Sequence, residues 1–197
     1  LLWLIKLRSR DEYTYTHCIN VCVLASLLAV QTGLDKESTK KIGIAGLFHD
    51  IGKASIPDAI LNKTDKLTDK EFAVIKKHPE LGVKYLNRTD LPEEILSGIL
   101  DHHEKINGTG YPRGLKGDEI SQTARIISIV DVYDALTSRR VYKDPMLPHQ
   151  ALSLMYSMRG EEFDETILEH FIRSQGIYPV GSVVELSSGW RGVVVQI

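Results

Sequence analysis

From Tyr13 to Gln31 apolar residues return every three or four positions, through Val21, Leu24 and Leu28, and His17 falls on the same stripe. That period is helical and turns His17 inward. Gly33 is the expected C-cap. Similar patterning predicts a second helix over Ser38 to Phe48, running into His49-Asp50-Ile51-Gly52-Lys53, with Gly52 and Pro57 turning the chain. Thr68-Asp69-Lys70-Glu71 has the form of a capping box, so a helix should start there and run toward His78 until Pro79 interrupts it. Further helices are expected over Glu80 to Asn87, Pro92 to Asp101, Ser121 to Thr137, Pro148 to Met158 and Glu165 to Gln175. Beyond Pro179 the period changes. Val183 to Leu186 and Gly192 to Val195 flank a Ser-Ser-Gly-Trp turn and predict a β-hairpin whose Trp190 covers a helix. The expected architecture is all-α with a small C-terminal β-hairpin.

Three segments follow from this pattern: 1–10 as the end of an upstream linker or helix, 11–178 as the main domain, and 179–197 as the hairpin packed on it. The chain opens on Leu-Leu-Trp-Leu-Ile rather than methionine, so its first residues are expected to continue an element of an upstream sensory or receiver domain. Composition narrows the classes. With 197 residues, 43% hydrophobic and 25% charged, the chain can bury one substantial core, which excludes a disordered tail or a disulfide-stapled miniprotein. A formal net charge of −2 provides no global field for DNA or an anionic membrane, so an anionic substrate must meet local charge. Leu1 to Leu7 carries Lys6 and is far shorter than the roughly 20 residues of a membrane span. Cys18 and Cys22, four apart on one helix, read as small buried apolar residues, and a cytoplasmic setting is expected.

Five of the seven histidines, His17, His49, His78, His102 and His103, fall at the ends or inner faces of these helices. Each has an ordinary reading: His17 as a hydrogen-bonded core residue, His78 as a helix end, His102-His103 as an exposed pair and His49-Asp50 as a helix-end ion pair. Their joint occurrence favours another. A neutral imidazole offers one lone pair to a divalent metal, and an aspartate can bridge two metals. His49-Asp50 and His102-His103 are therefore suitable halves of a two-metal centre, with Asp131 as a further carboxylate. Such a centre would hold a hydroxide between its metals and clamp a phosphate. His149 and His170 have no such neighbours and read as helix-surface residues.

The series His17, His49-Asp50-Ile51-Gly52-Lys53, His78-Pro79, His102-His103-Glu104 running into Asn107-Gly108-Thr109-Gly110-Tyr111-Pro112, and Asp131 to Thr137 resembles the HD-GYP family. The resemblance spans nearly the whole chain. It implies an all-helical HD fold, two divalent ions of iron or manganese type, and hydrolysis of cyclic di-GMP; pGpG would come first, and the same clamp can hold that linear dinucleotide for a second cut to GMP. One metal would be held by His17, His49, Asp50 and Asp131, the other by Asp50, His78, His102 and His103. Lys53 would stand beside the attacked phosphate, while Tyr111, Arg140 and Lys143 would contact the nucleotide. The glycine loop has a structural reading too, as tight turns that Tyr111-Pro112 pins to the body, and its face is a possible contact for GGDEF-domain partners. Two departures matter. Tyr13 stands where some members carry a glutamate for a third metal, and Arg139-Arg140-Val141-Tyr142 replaces the usual Asp-Arg-Pro-Tyr. The second leaves a phosphodiesterase for the hybrid 3′3′-cGAMP as an alternative to cyclic di-GMP hydrolysis, and a catalytically silent sensor of cyclic dinucleotides is the alternative from another class.

Overall fold

A computed structural model describes residues 12–86, 90–139, 144–176, 181 and 183–195. The helices are α1 (Glu12–Gln31), α2 (Lys36–Phe48), α3 (Asp58–Leu61), α4 (Asp69–Ile75), α5 (His78–Leu86), α6 (Glu93–Asp101), α7 (Gln122–Thr137), α8 (Pro148–Ser157) and α9 (Glu165–Gln175). Short 3-10 turns lie at Ile51–Ser55 and Gly117–Glu119.

The core is a closed set of four helices. α1 packs on α2 and α7, while α6 packs on α2 and α7 from the other side. α7 is apolar nearly all round, and Ile126, Ile127, Ile129 and Val130 are fully buried. A helix of that kind has to run through the centre of its domain. Each such side chain contributes roughly 1.5–3 kcal/mol by leaving water. α1 and α2 approach closely because Gly46 presents no side chain: a Cβ there would lie 3.3 Å from the Cys22 Cα. Tyr13–Gln31 is long and apolar enough to cross a membrane by length and composition alone, yet His17, Val21, Ala25, Leu28 and Ala29 face the core.

Local chemistry sets most boundaries. α2 starts two residues earlier than the pattern predicts, because the Asp35 carboxylate accepts from the Ser38 N–H at 2.7 Å and caps the helix there. The Thr68 capping box forms as expected. α4 stops at Ile75 rather than reaching His78, and α5 begins at His78 with Pro79 in its first turn, where a missing N–H costs nothing. The proline therefore starts a helix instead of ending one. Neither α3 nor the 3-10 turn after Asp50 is visible in the apolar period. Both are too short to show one.

β1 (Val183–Glu185) and β2 (Arg191–Val193) pair antiparallel, with Val184 opposite Gly192. The expectation that Trp190 covers a helix is wrong: its side chain is 75% exposed, and no described residue of the hairpin is buried. Trp190 sits at the turn, where its backbone carbonyl accepts from the Leu186 N–H while the ring stays in solvent. Cys18 and Cys22 are free thiols, the first buried.

Candidate metal centre

Five helices deliver one cluster. α1 contributes His17, the end of α2 contributes His49 and Asp50, the start of α5 contributes His78, the end of α6 contributes His102 and His103, and α7 contributes Asp131. The 3-10 turn after Asp50 brings Lys53 back beside it, with Nζ 2.6 Å from the Asp50 Oδ2. Every histidine and aspartate singled out by sequence is therefore within one site.

The histidines are aimed by their far nitrogens. His49 Nδ1 donates to the Gly46 carbonyl at 2.7 Å, His78 Nδ1 to Ile75 at 2.8 Å, and His102 Nδ1 to Ile99 at 2.8 Å. A carbonyl can only accept, so in each neutral ring the proton is on Nδ1 and the lone pair on Nε2. All three bonds span three residues at a helix end, the same local device used three times. The freed Nε2 atoms then converge. His78 Nε2 lies 3.2 Å from His102 Nε2, two lone pairs facing each other with nothing to attract them. His49 Nε2 and Asp50 Oδ1 are buried without a hydrogen-bond partner. Buried polar atoms rarely stay unsatisfied, and divalent cations placed among them would satisfy all four.

Candidate ligand atoms gather into sets within 4.8 Å of one another: His17 with His49 and Asp50, and His78 with His102 and His103. A further set, His49 with His102 and Asp131, straddles the two. Asp50 joins both halves. Its Oδ1 lies 3.3 Å from His78 Nε2, while its Oδ2 lies 3.4 Å from His49 Nε2 and 3.8 Å from His17 Nε2. That is how a bridging carboxylate has to be placed. The residues present thus fit two cations.

The site's electrostatics follow from crowding these groups together. Burial opposes charge on His49, yet the Asp50 and Asp131 carboxylates outweigh it and hold the imidazole up at about 10. Burial opposes charge on Asp50 too, but Lys53 and His49 keep its carboxyl well below the usual range. His78 is pushed down to about 3 and His103 to about 4, chiefly by burial, which favours the neutral rings that could act as ligands.

Several residues that the pattern did not single out hold the site together. Asp134 Oδ2 accepts from His17 Nδ1 at 2.7 Å, and its Oδ1 accepts from Asn20 Nδ2 at 2.8 Å. The signal was present as an i, i+3 pair with Asp131 on one face of α7. Such a carboxylate fixes the tautomer of a metal-ligating histidine. Asp134→Asn is expected to weaken metal binding about 10–100-fold while the fold survives, which metal titration beside a thermal melt checks. Glu104 is buried and accepts from the backbone N–H groups of Arg113, Gly114 and Leu115. It anchors the glycine loop rather than serving as a ligand. Its partners lie about ten residues on, beyond any helical period.

The loop itself braces His103. Gly110 packs on the His103-Glu104-Lys105 backbone, where a Cβ would sit 2.4 Å from the Glu104 Cα. Tyr111 donates its N–H to the His103 carbonyl, and its ring stacks on the His103 imidazole with centroids 4.7 Å apart. On the opposite side, Tyr13 stacks on His17 with rings 9° from parallel. Arg140 and Lys143 lie outside the described residues. His149 and His170 stand apart from this cluster, on α8 and α9.

The geometry has relatives. The HD domain family model matches residues 3–167. A cyclic di-GMP phosphodiesterase of Pseudomonas aeruginosa is 44% identical over 197 residues, covering 100% of this chain and 47% of that protein. A 3′3′-cGAMP-specific phosphodiesterase of Vibrio cholerae is 39% identical over 176 residues, covering 85% of this chain and 33% of that protein. The chain thus spans about half or less of the length of these curated relatives. In fold it is similar to the structure of an HDG"Y"P protein from Bdellovibrio bacteriovorus, with a TM-score of 0.64 and 24% identity over 80% of this chain and 51% of that one. With the family model over most of its length and His102-His103-Glu104 bound to Gly110-Tyr111-Pro112 as described, the chain belongs to the HD-domain family, in its HD-GYP group.

Proposed function

We propose that this domain is a metal-dependent phosphodiesterase that opens the ring of cyclic di-GMP to pGpG and then cuts pGpG to GMP. The observation that carries this reading is the convergence of Nε2 lone pairs and Asp50 oxygens on shared points, with His49 Nε2 and Asp50 Oδ1 left unsatisfied. Divalent cations at such a place supply Lewis acidity and a water of lowered pKa. The donor set, imidazole with carboxylate, suits iron or manganese. His17, His49, Asp50 and Asp131 would hold one ion, and Asp50, His78, His102 and His103 the other.

The protein's own groups do the rest. Lys53 is half-buried and paired with Asp50, so its ammonium stands at the edge of the cluster where charge develops on the attacked phosphate. As the 3′ oxygen leaves, Lys53 stabilises it or supplies its proton. Tyr111, fixed on His103, borders the place where the nucleotide enters, and Arg140 and Lys143 would meet its phosphate or guanine through charged hydrogen bonds. A GGDEF-domain partner at the glycine loop belongs to the same reading. Lys53→Ala is expected to keep both metals but slow turnover about 10²–10³-fold, which metal analysis and single-turnover rates check together.

A second reading keeps the site and changes the substrate, and the similarity to the Vibrio cholerae 3′3′-cGAMP phosphodiesterase favours it. Side-by-side turnover of the two dinucleotides by metal-loaded protein decides. Faster cyclic di-GMP cleavage supports the first reading, and selective cleavage of the hybrid overturns it in favour of the second.

A further inference from the structure

Phe72 lies in the middle of α4 and Lys76 caps its C-terminus one turn on, two residues before His78. The Phe72 ring is 44% exposed, an unusual place for an aromatic beside a polar cluster. Lys76 Nζ lies 4.9 Å from the Phe72 ring centroid and 5.2 Å from that of Tyr111. Tyr111 in turn stacks on His103, so a continuous surface of ring, ammonium and ring runs out from the metal centre. α4 holds this surface in place through its capping box and through Lys63, whose Nζ is 2.7 Å from the Glu71 Oε2.

We propose that Phe72, Lys76 and Tyr111 form a shelf for the half of the cyclic dinucleotide that is not at the metals, with Phe72 stacking on a purine and Lys76 neutralising the second phosphate. This rests on the cyclic dinucleotide reading above. Such a substrate carries two phosphates and two purines, and the metal ligands account for one phosphate only. A chain of net charge −2 has to meet the other with a local cation. Around the site Lys53 is paired with Asp50, Arg113 with Asp101 and Lys63 with Glu71, and Arg140 and Lys143, proposed above to meet the nucleotide, lie outside the described residues, so Lys76 is the described cation that stands beside both rings. Lys76 makes no salt bridge among the described residues, and its ammonium lies over the two rings. An exposed aromatic face beside a cation is the usual means of holding a base without reading its edge.

The test uses the metal-loaded protein, cyclic di-GMP, and methyl p-nitrophenyl phosphate as a diester with one phosphate and no purine. Phe72→Ala and Lys76→Gln are each expected to raise KM for cyclic di-GMP about tenfold. Metal content, melting temperature and turnover of the small diester should stay at wild-type values. Phe72→Tyr and Lys76→Arg should restore KM. Unchanged KM in both variants would overturn the shelf. So would parallel loss of metal or of small-diester turnover, which would mark both side chains as supports for His78. A wild-type protein that cleaves the small diester but leaves cyclic di-GMP intact would overturn the underlying substrate reading, and the shelf with it.

Discussion

Asp50→Asn is expected to deplete both metals and to lower turnover by on the order of 10³–10⁴-fold, the loss that follows when several kcal/mol of Lewis-acid stabilisation disappears. The substitution changes almost no volume. What it removes is a negative charge that faces His49, His78 and Lys53 within 3.4 Å, and one of two oxygens that reach separate halves of the cluster. An amide nitrogen cannot take that oxygen's place as a ligand. Because the two halves share Asp50, both should lose affinity together rather than one alone. Metal analysis of the purified variant, beside its thermal melt and rate, checks this. A variant that keeps two metals and loses only rate would place Asp50 in the chemistry and not in the bridge. The contrast with Lys53→Ala, which should keep the metals, makes the two assignments separable.

Gly52→Ala is expected to cost about 3 kcal/mol or more, lowering the melting temperature by roughly 6–12 °C, and to remove activity as well. A Cβ at Gly52 would lie 1.9 Å from the His78 carbonyl oxygen and 2.6 Å from the Gly82 nitrogen, both backbone atoms that no rotamer change can move aside. The first turn of α5 would have to retreat from the turn after Asp50. His78 sits in that first turn, so the ligand moves with it. Gly110→Ala should act the same way on the other side, through the His103 backbone, but with a loop able to give. Calorimetry with metal titration reads both effects. An unchanged melting temperature for Gly52→Ala would mean that the two segments do not pack as described.

Much of the site was legible because its ligands obey short-range rules. His17 was visible as a polar residue on an apolar helical stripe, and His49-Asp50 and His102-His103 as polar pairs at helix ends. Those positions are where an i−3 carbonyl can orient an imidazole, as Gly46, Ile75 and Ile99 do. Their grouping into two halves sharing Asp50 follows from the fold, since α1, α5, α6 and α7 have to close on the end of α2. What escaped the pattern depends on tertiary approach. Glu104 binds backbone N–H groups, which have no sequence signature, and Phe72 gains meaning only when α4 lies against Tyr111. Trp190 shows the converse error: a large apolar residue in a turn suggests cover, but the short hairpin leaves it in water.

The most direct test of the central claim is anaerobic incubation of iron- or manganese-loaded protein with cyclic di-GMP, its products separated by chromatography beside an EDTA-stripped sample. Formation of pGpG and GMP by the loaded protein, lost on stripping and regained on adding metal back, is the result the site predicts. Equal product with and without metal, or none from protein shown to hold two metals per chain, would contradict it.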